Sequence, residues 1–466
     1  MEQTKEIKTD KASVDLTEGN LIKKIILYTL PIIATGVLSL LFNAADIIVV
    51  GRFASDTALA AVSSTSALIN LIVNLILGLS VGAGVGVAKC YGAKDDVGMH
   101  KMVHTSMLTA VIGGLFFGVF GFICAKYFLE WMATPENVID QSSLYVRIYF
   151  IGIPFAIVYN FGAAILRSIG DTKRPLIFLV IAGVLNVFLN LFFVIVLGMD
   201  VDGVAWATTC SQALSAVLVV VYLVKVKANY RLEIKKLRIY KNSIKEILII
   251  GVPAGVQGSL FSISNVIIQS GINGFGDVAM SGNGAAGNIE GFVYTSMNAF
   301  HQTALAFIGQ HIGANKQNRI GKITLACVVM VTIVGLVLGI GAYLLAVPLL
   351  SIYAPGRNDV IAYGVQRMSY VCAPYFLCGV MDVLSGALRG MGKSFSSMII
   401  TLVSVCGLRI LWIYTVFAEY RELSVLYASY PLSWGVCVII QAIEFFAVYA
   451  KVKKEYAQHN AAKENA

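Results

Sequence analysis

The chain has 466 residues, 58% of them hydrophobic and only 13% charged, with a formal net charge of +9. That balance, with a mean hydropathy of +0.78, excludes a water-soluble globular domain and a disordered chain, and calls for a bilayer. The eight cysteines fall mostly within apolar stretches and show no CxxC spacing, so neither a disulfide framework nor a zinc site is indicated.

Residues 1–20 are polar and mixed in charge, without the short apolar core and small-residue cleavage site of a signal peptide, and read as a cytoplasmic tail. Apolar runs of the roughly 20 residues needed to span a membrane then follow at 25–51, 57–88, 102–125, 142–166, 176–199 and 203–224. A Lys/Arg-rich segment, 227–243, separates them from a second set at 246–272, 278–308, 323–350, 364–388, 395–418 and 424–450. The expectation is an all-α polytopic membrane protein of twelve transmembrane helices, with one lobe over 21–226, a linker over 227–243, a second lobe over 244–452 and a cytoplasmic tail over 453–466.

The two sets repeat one another. Pro31 and Asn43 recur 222 residues later as Pro253 and Asn265, and Leu166-Arg167-Ser168-Ile169-Gly170 recurs at the same offset as Leu388-Arg389-Gly390-Met391-Gly392. Arg147 and Pro154 recur as Arg367 and Pro374, two residues out of step. With an even number of spans in each repeat, the repeats are parallel and their pseudo-symmetry axis runs along the membrane normal. Lys and Arg gather at the span ends on the side of the N-terminus, while the other side holds Arg52, Lys126, Arg357 and Arg421. Both termini are therefore expected in the cytoplasm, and the positive charge is accounted for without nucleic acid.

Motifs for chemistry are poor. Gly392-Lys393-Ser394 lacks the first glycine of a phosphate-binding loop, since Ala387 stands there, and no strand precedes it. The five histidines form no HExxH arrangement. An enzyme and a nucleotide-driven pump are both disfavoured, and an ion gradient is left as the energy source.

Ionisable residues inside spans are costly and mark function. Asp46 sits in the first span with Asn43 one turn before it, Asn186 and Asn190 share a face of the fifth span, and Thr208 in the sixth adds a hydroxyl. A carboxyl there can carry a proton or, with neutral oxygens, ligate Na⁺; the two amides can equally serve as hydrogen-bonded glue between helices. The second half carries Glu290, Asp382 and Arg409, which form either a mutually neutralising network or, through the acids, a cation-attracting wall of the cavity or a second coupling site. Arg147 and Arg367 are expected to snorkel toward the interface. The glycines Gly78, Gly82, Gly84 and Gly86 are expected to permit tight crossing or bending, and Pro31, which lacks a backbone donor, marks a site for a conformational kink.

From Leu21 to about Lys454 the chain resembles the multidrug and toxic compound extrusion (MATE) family, most closely its NorM-like branch. The resemblance rests on Leu30-Pro31, Asp46, Tyr91-Gly92-Ala93-Lys94, Leu166-Arg167-Ser168-Ile169-Gly170-Asp171-Thr172, Asn186, Ala207-Thr208, Ser211-Gln212 and Ala387-Leu388-Arg389-Gly390. It implies two six-helix lobes and efflux of organic, often cationic, compounds in exchange for Na⁺ or H⁺ by alternating access. It also implies a cation site in the first lobe at Asp46, Asn186, Asn190 and Thr208, with Na⁺ at the first three as one option. Many members carry an acid followed by proline where this chain has Asn190-Leu191, so one negative charge remains, which suits a single monovalent cation. Ser262, Ser264 and Asn265 replace the acid that some members carry in span seven. The expected partners are small organic substrates and the lipid of a bacterial cytoplasmic membrane; no cofactor beyond the coupling ion, no nucleotide and a monomer are expected. A lipid or lipid-linked saccharide flippase is the alternative, and would be favoured by a cavity dense in arginine.

Overall fold

The computed structural model describes residues 14–53, 56–132 and 136–464. These are helical almost throughout, and every apolar run expected to span coincides with a helix. The first repeat comprises α1 (Leu21–Phe53), α2 (Asp56–Gly92), α3 (Asp96–Trp131), α4 (Glu136–Ser168), α5 (Lys173–Leu191) and α6 (Val201–Lys225). The second comprises α7 (Lys241–Asn273), α8 (Asp277–Gly313), α9 (Ile320–Leu344) with the short α10 (Ala346–Tyr353), α11 (Asn358–Val371) with α12 (Phe376–Gly390), α13 (Ser394–Thr401) to α14 (Leu408–Tyr414) and α15 (Val416–Glu419), and α16 (Leu423–Glu464).

Among the described residues, ten helices are long and apolar enough to cross a membrane, and eleven if α11 and α12, bent by 48°, count as one span. The twelfth expected span, α8, is a full 37-residue helix but a polar one, burying Asn283, Glu290, His301, Gln310 and His311. Its polar groups are buried within protein, which is where a membrane protein can keep them. Other helices turn large apolar side chains outward: Ile112, Leu115, Phe116, Val119 and Ile123 on α3, and Leu325, Val329, Ile333 and Val337 on α9. Faces like these are unfavourable in water and suited to hydrocarbon.

The repeated Leu-Arg-x-x-Gly is a helix terminator written twice. Gly170 and Gly392 both adopt a left-handed conformation, with φ of +91° and +83°. After α4, Gly170 N–H donates to Arg167 O (2.9 Å) and Asp171 N–H to Leu166 O (3.0 Å); after α12, Gly392 N–H donates to Arg389 O (2.8 Å) and Lys393 N–H to Leu388 O (2.8 Å). Both are Schellman caps, which satisfy carbonyls the helix would leave orphaned. Lys94 and Asn315 stand in the same conformation after α2 and α8 with the same pair of bonds, so all four turns share one geometry. The buried Asp171 then accepts from Arg174 N–H (3.2 Å) and from its guanidinium (2.8 Å) in the first turn of α5. Burial raises its carboxyl above the ordinary value, against those bonds.

Among the described residues the helices gather into two compact units, residues 14–15 with 38–255 and residues 16–37 with 256–464. The division falls inside α1, past Pro31, and inside α7, just past Pro253, not at the 227–243 segment that links the repeats in sequence. Helix α1 is continuous through Pro31, whose carbonyl accepts from Thr35 Oγ1 (2.7 Å). In the first unit the start of α7 lies against α2 through two facing small-residue pairs. A Cβ on Gly78 would stand 2.0 Å from Gly255 N, one on Gly82 2.2 Å from Ile247 O, one on Gly251 2.8 Å from Leu79 Cα, and one on Gly255 2.7 Å from Leu75 O. Such backbone approach is open to glycine alone and is how helices associate where lipid removes the hydrophobic drive. Gly84 and Gly86 of the same cluster face α4 and α3 instead, at Ser168 and Met102.

Gly78→Val should therefore abolish the folded, monodisperse protein in detergent, whereas Gly113→Ala, where a Cβ meets nothing within 4 Å, should leave it intact; fluorescence-detected size exclusion of the two variants makes the comparison.

Candidate cation site

Within the first unit, the C-terminal part of α1 brings Asp46 to α5. Asn190 donates its side-chain amide to Asp46 Oδ1, and the same amide lies 3.4 Å from Asn186 Oδ1. Asn186 and Asn190 are one turn apart and buried, Asn190 completely. With its Nδ2 engaged in this way, Asn190 Oδ1 is a buried acceptor without a donor. Such a group costs about 1–3 kcal/mol unless something else satisfies it. Directly after Asn190, α5 passes into a π-helical turn, Phe192–Val196, in which Leu197 N–H reaches back five residues to Phe192 O (3.1 Å); single π turns are frequent at functional sites.

The cluster thus joins Asp46, Asn186 and Asn190. Thr208 is half-buried on α6, and among the described residues no hydrogen bond ties it to these three. Two tyrosines that sequence reasoning passed over stand nearby on α4: Tyr145 is within electrostatic reach of Asp46, its ring stacks on Tyr149 at 6.3 Å, and the Tyr149 hydroxyl faces Gln212 of α6. Their spacing of four residues was the available signal, but aromatics at helical spacing are common in any core.

The second unit corrects two expectations. Arg367 does not snorkel: it is 8% exposed and grips Glu290 bidentately, Nε to Oε1 at 2.8 Å and Nη2 to Oε2 at 2.6 Å, with Nη1 donating to Asn283 Oδ1 at 2.6 Å. A carboxylate on the neighbouring α8 removes the need to reach for water. Its counterpart Arg147 is exposed as expected, lying over the Phe122 ring at 5.7 Å.

Glu290, Asp382 and Arg409, in turn, are not one network. Asp382 Oδ2 accepts from Asn298 Nδ2 at 3.5 Å, and its backbone carbonyl accepts from His301 Nδ1 at 2.7 Å. The other imidazole nitrogen, Nε2, then accepts from Arg389 Nη1 at 3.3 Å, while Arg389 Nη2 donates to Gln257 Oε1 at 2.8 Å. Arg409 pairs with neither acid. Glu290 and Asp382 have found other partners on the helices packed against them, which spacing along the chain does not reveal.

A sequence model of the MatE family matches residues 31–192 and again 253–415, one match per repeat. The chain belongs to that family, the multidrug and toxic compound extrusion transporters, and is a multi-pass membrane protein. It is 29% identical over 395 residues to the probable multidrug resistance protein YpnP of Bacillus subtilis (strain 168), covering 85% of this chain and 88% of that one. Multidrug export protein MepA of Staphylococcus haemolyticus (strain JCSC1435) is 21% identical over 82% of each chain. Among solved structures, the outward-facing conformation of a multidrug resistance MATE family transporter of the MOP superfamily superposes with a TM-score of 0.89 at 20% identity, over 96% of this chain and 100% of that one. The fold is thus shared along the whole chain.

The Glu290–Arg367 pair yields a prediction of its own. Arg367→Met should lower stability in detergent by about 3–5 kcal/mol by stranding a buried carboxylate, and Glu290→Gln added to it should recover most of the loss in thermal unfolding.

Proposed function

We propose that the chain is a secondary active transporter that exports organic, often cationic, compounds in exchange for one monovalent cation, Na⁺ or H⁺, by alternating access. The observation that carries this reading is the Asp46–Asn190–Asn186 cluster. It provides one negative charge, hydrogen-bonded by the Asn190 amide, beside a buried oxygen that lacks a donor. A proton on Asp46 would remove the charge; a sodium ion would take Asp46 and the amide oxygens of Asn190 and Asn186 as ligands, oxygen being the donor that hard cations require.

Either cation neutralises Asp46 and so alters what the carboxylate asks of α5. Unprotonated and free of a metal ion, Asp46 holds the Asn190 amide. Once neutralised, it releases that claim, and α1, α5 and α6 can repack around the π turn. Organic cations, drawn to the free carboxylate, lose affinity at the same moment, which is the reciprocal coupling an antiporter needs. Export is toward the outside, with both termini in the cytoplasm as the placement of Lys and Arg favours.

The test is efflux of a fluorescent organic cation from proteoliposomes under separately imposed Na⁺ and H⁺ gradients. One of the gradients should drive efflux in the wild type, and Asp46→Asn should abolish the coupled component. Near-normal coupled efflux in the variant would sink the proposal.

Asn190→Asp offers a second check: a second carboxylate beside Asp46 should raise the number of cations exchanged per substrate, or make coupling strictly proton-driven, as read from the dependence of steady-state accumulation on each gradient.

A further inference from the structure

The interior of the second unit holds Arg367, Arg389 and Arg409 against Glu290 and Asp382. Glu290 neutralises Arg367, and Asp382 lies within electrostatic reach of Arg389. Arg409 is left over. Its side chain is wholly buried, at 0% exposure, and its hydrogen bonds go to neutral groups, Nε to Ser433 Oγ at 3.0 Å and Nη1 to Asn265 Oδ1 at 3.3 Å. The groups that act on it most strongly after burial are Tyr430, Cys378, Cys406 and Tyr375, none of them an anion near neutral pH.

Two donors at this place have no acceptor. Arg409 Nη2 is buried without a partner, and so is the indole N–H of Trp434, whose ring lies 5.8 Å from the guanidinium. Tyr430 and Phe261 complete an aromatic wall at 4.4 Å and 5.4 Å. The segment that delivers Arg409 is a second π-helical stretch, Leu402–Gly407. Aromatic faces ease the burial of a guanidinium but satisfy none of its N–H groups, and an unpaired charge inside a membrane protein marks a site by default.

We infer that Arg409, with the Trp434 indole N–H, receives the anionic group of an organic ligand, a carboxylate or sulfonate carried on a flat aromatic body that packs against Tyr430 and Phe261. The site accepts aromatic anions and zwitterions and gives nothing to a purely cationic compound. It concerns ligand binding and is independent of Asp46.

The probes are rhodamine 110, with a free carboxylate, and rhodamine 123, its methyl ester, titrated against the purified protein in phosphatidylcholine nanodiscs with anisotropy as the readout. Wild type should prefer rhodamine 110 by roughly tenfold or more, the scale of one charge-assisted bond to a carboxylate. Arg409→Gln should lose that preference while still binding rhodamine 123, which shows that the variant is folded, and Arg409→Lys should keep part of it. Equal affinity of the wild type for the two dyes, a preference that survives in Arg409→Gln, or no binding of rhodamine 110 would overturn the inference. Displacement of rhodamine 110 by phosphatidylglycerol in the nanodisc, with the ester unaffected, would also overturn it by assigning Arg409 to a lipid phosphate.

Discussion

A carboxylate within a membrane span, hydrogen-bonded by the amide of Asn190, is the constraint on which the proposed coupling rests. Among the described residues no guanidinium or ammonium pairs with Asp46, and Asn190 donates a hydrogen bond to it. The cost of keeping an acid there is met by protonation, by a metal ion or by water, and each of these can be exchanged with the outside of the protein. A salt bridge of the Glu290–Arg367 kind would be closed to such exchange. The contrast between these two carboxylates, one paired with a guanidinium and one with an amide, is what the proposed coupling role of Asp46 rests on.

The two repeats share a scaffold and differ in what they bury. Four Schellman turns with the same bonds end α2, α4, α8 and α12, so the duplicated motifs are in large part instructions for stopping helices. Between those stops the chemistry diverges. The first unit keeps a lone acid among amides and tyrosines, and the second keeps an unpaired guanidinium among aromatics. Both of these positions adjoin π-helical turns, Phe192–Val196 after Asn190 and Leu402–Gly407 before Arg409, where the helix has departed from its regular ladder and has the freedom to shift register.

Span number, repeat order and the positions of Asp46, Asn186 and Asn190 were legible in the sequence because each follows from local pattern: apolar length, a fixed offset, and a spacing of four on one helix. What escaped was long-range pairing. Arg367 looks like a snorkelling residue until Glu290, 77 residues away, is seen on the adjacent helix. A single network of Glu290, Asp382 and Arg409, one of the readings the sequence left open, did not form for the same reason, since charge sign says which groups could pair and packing says which do. Helix α8 was legible as a span although its buried polar residues hold it below the apolarity of the others. The division of α1 and α7 between units was not, because a continuous apolar helix carries no mark of a change in neighbours.

The most direct measurement is infrared difference spectroscopy on the protein in lipid, recorded while the bathing solution is exchanged between Na⁺ and an inert cation and while proton activity is stepped. Expected is a carboxyl or carboxylate band that responds to one of the two cations in the wild type and is absent in Asp46→Asn. A band of full size in that variant, or no cation-dependent carboxyl change in the wild type, would contradict the assignment of coupling to Asp46.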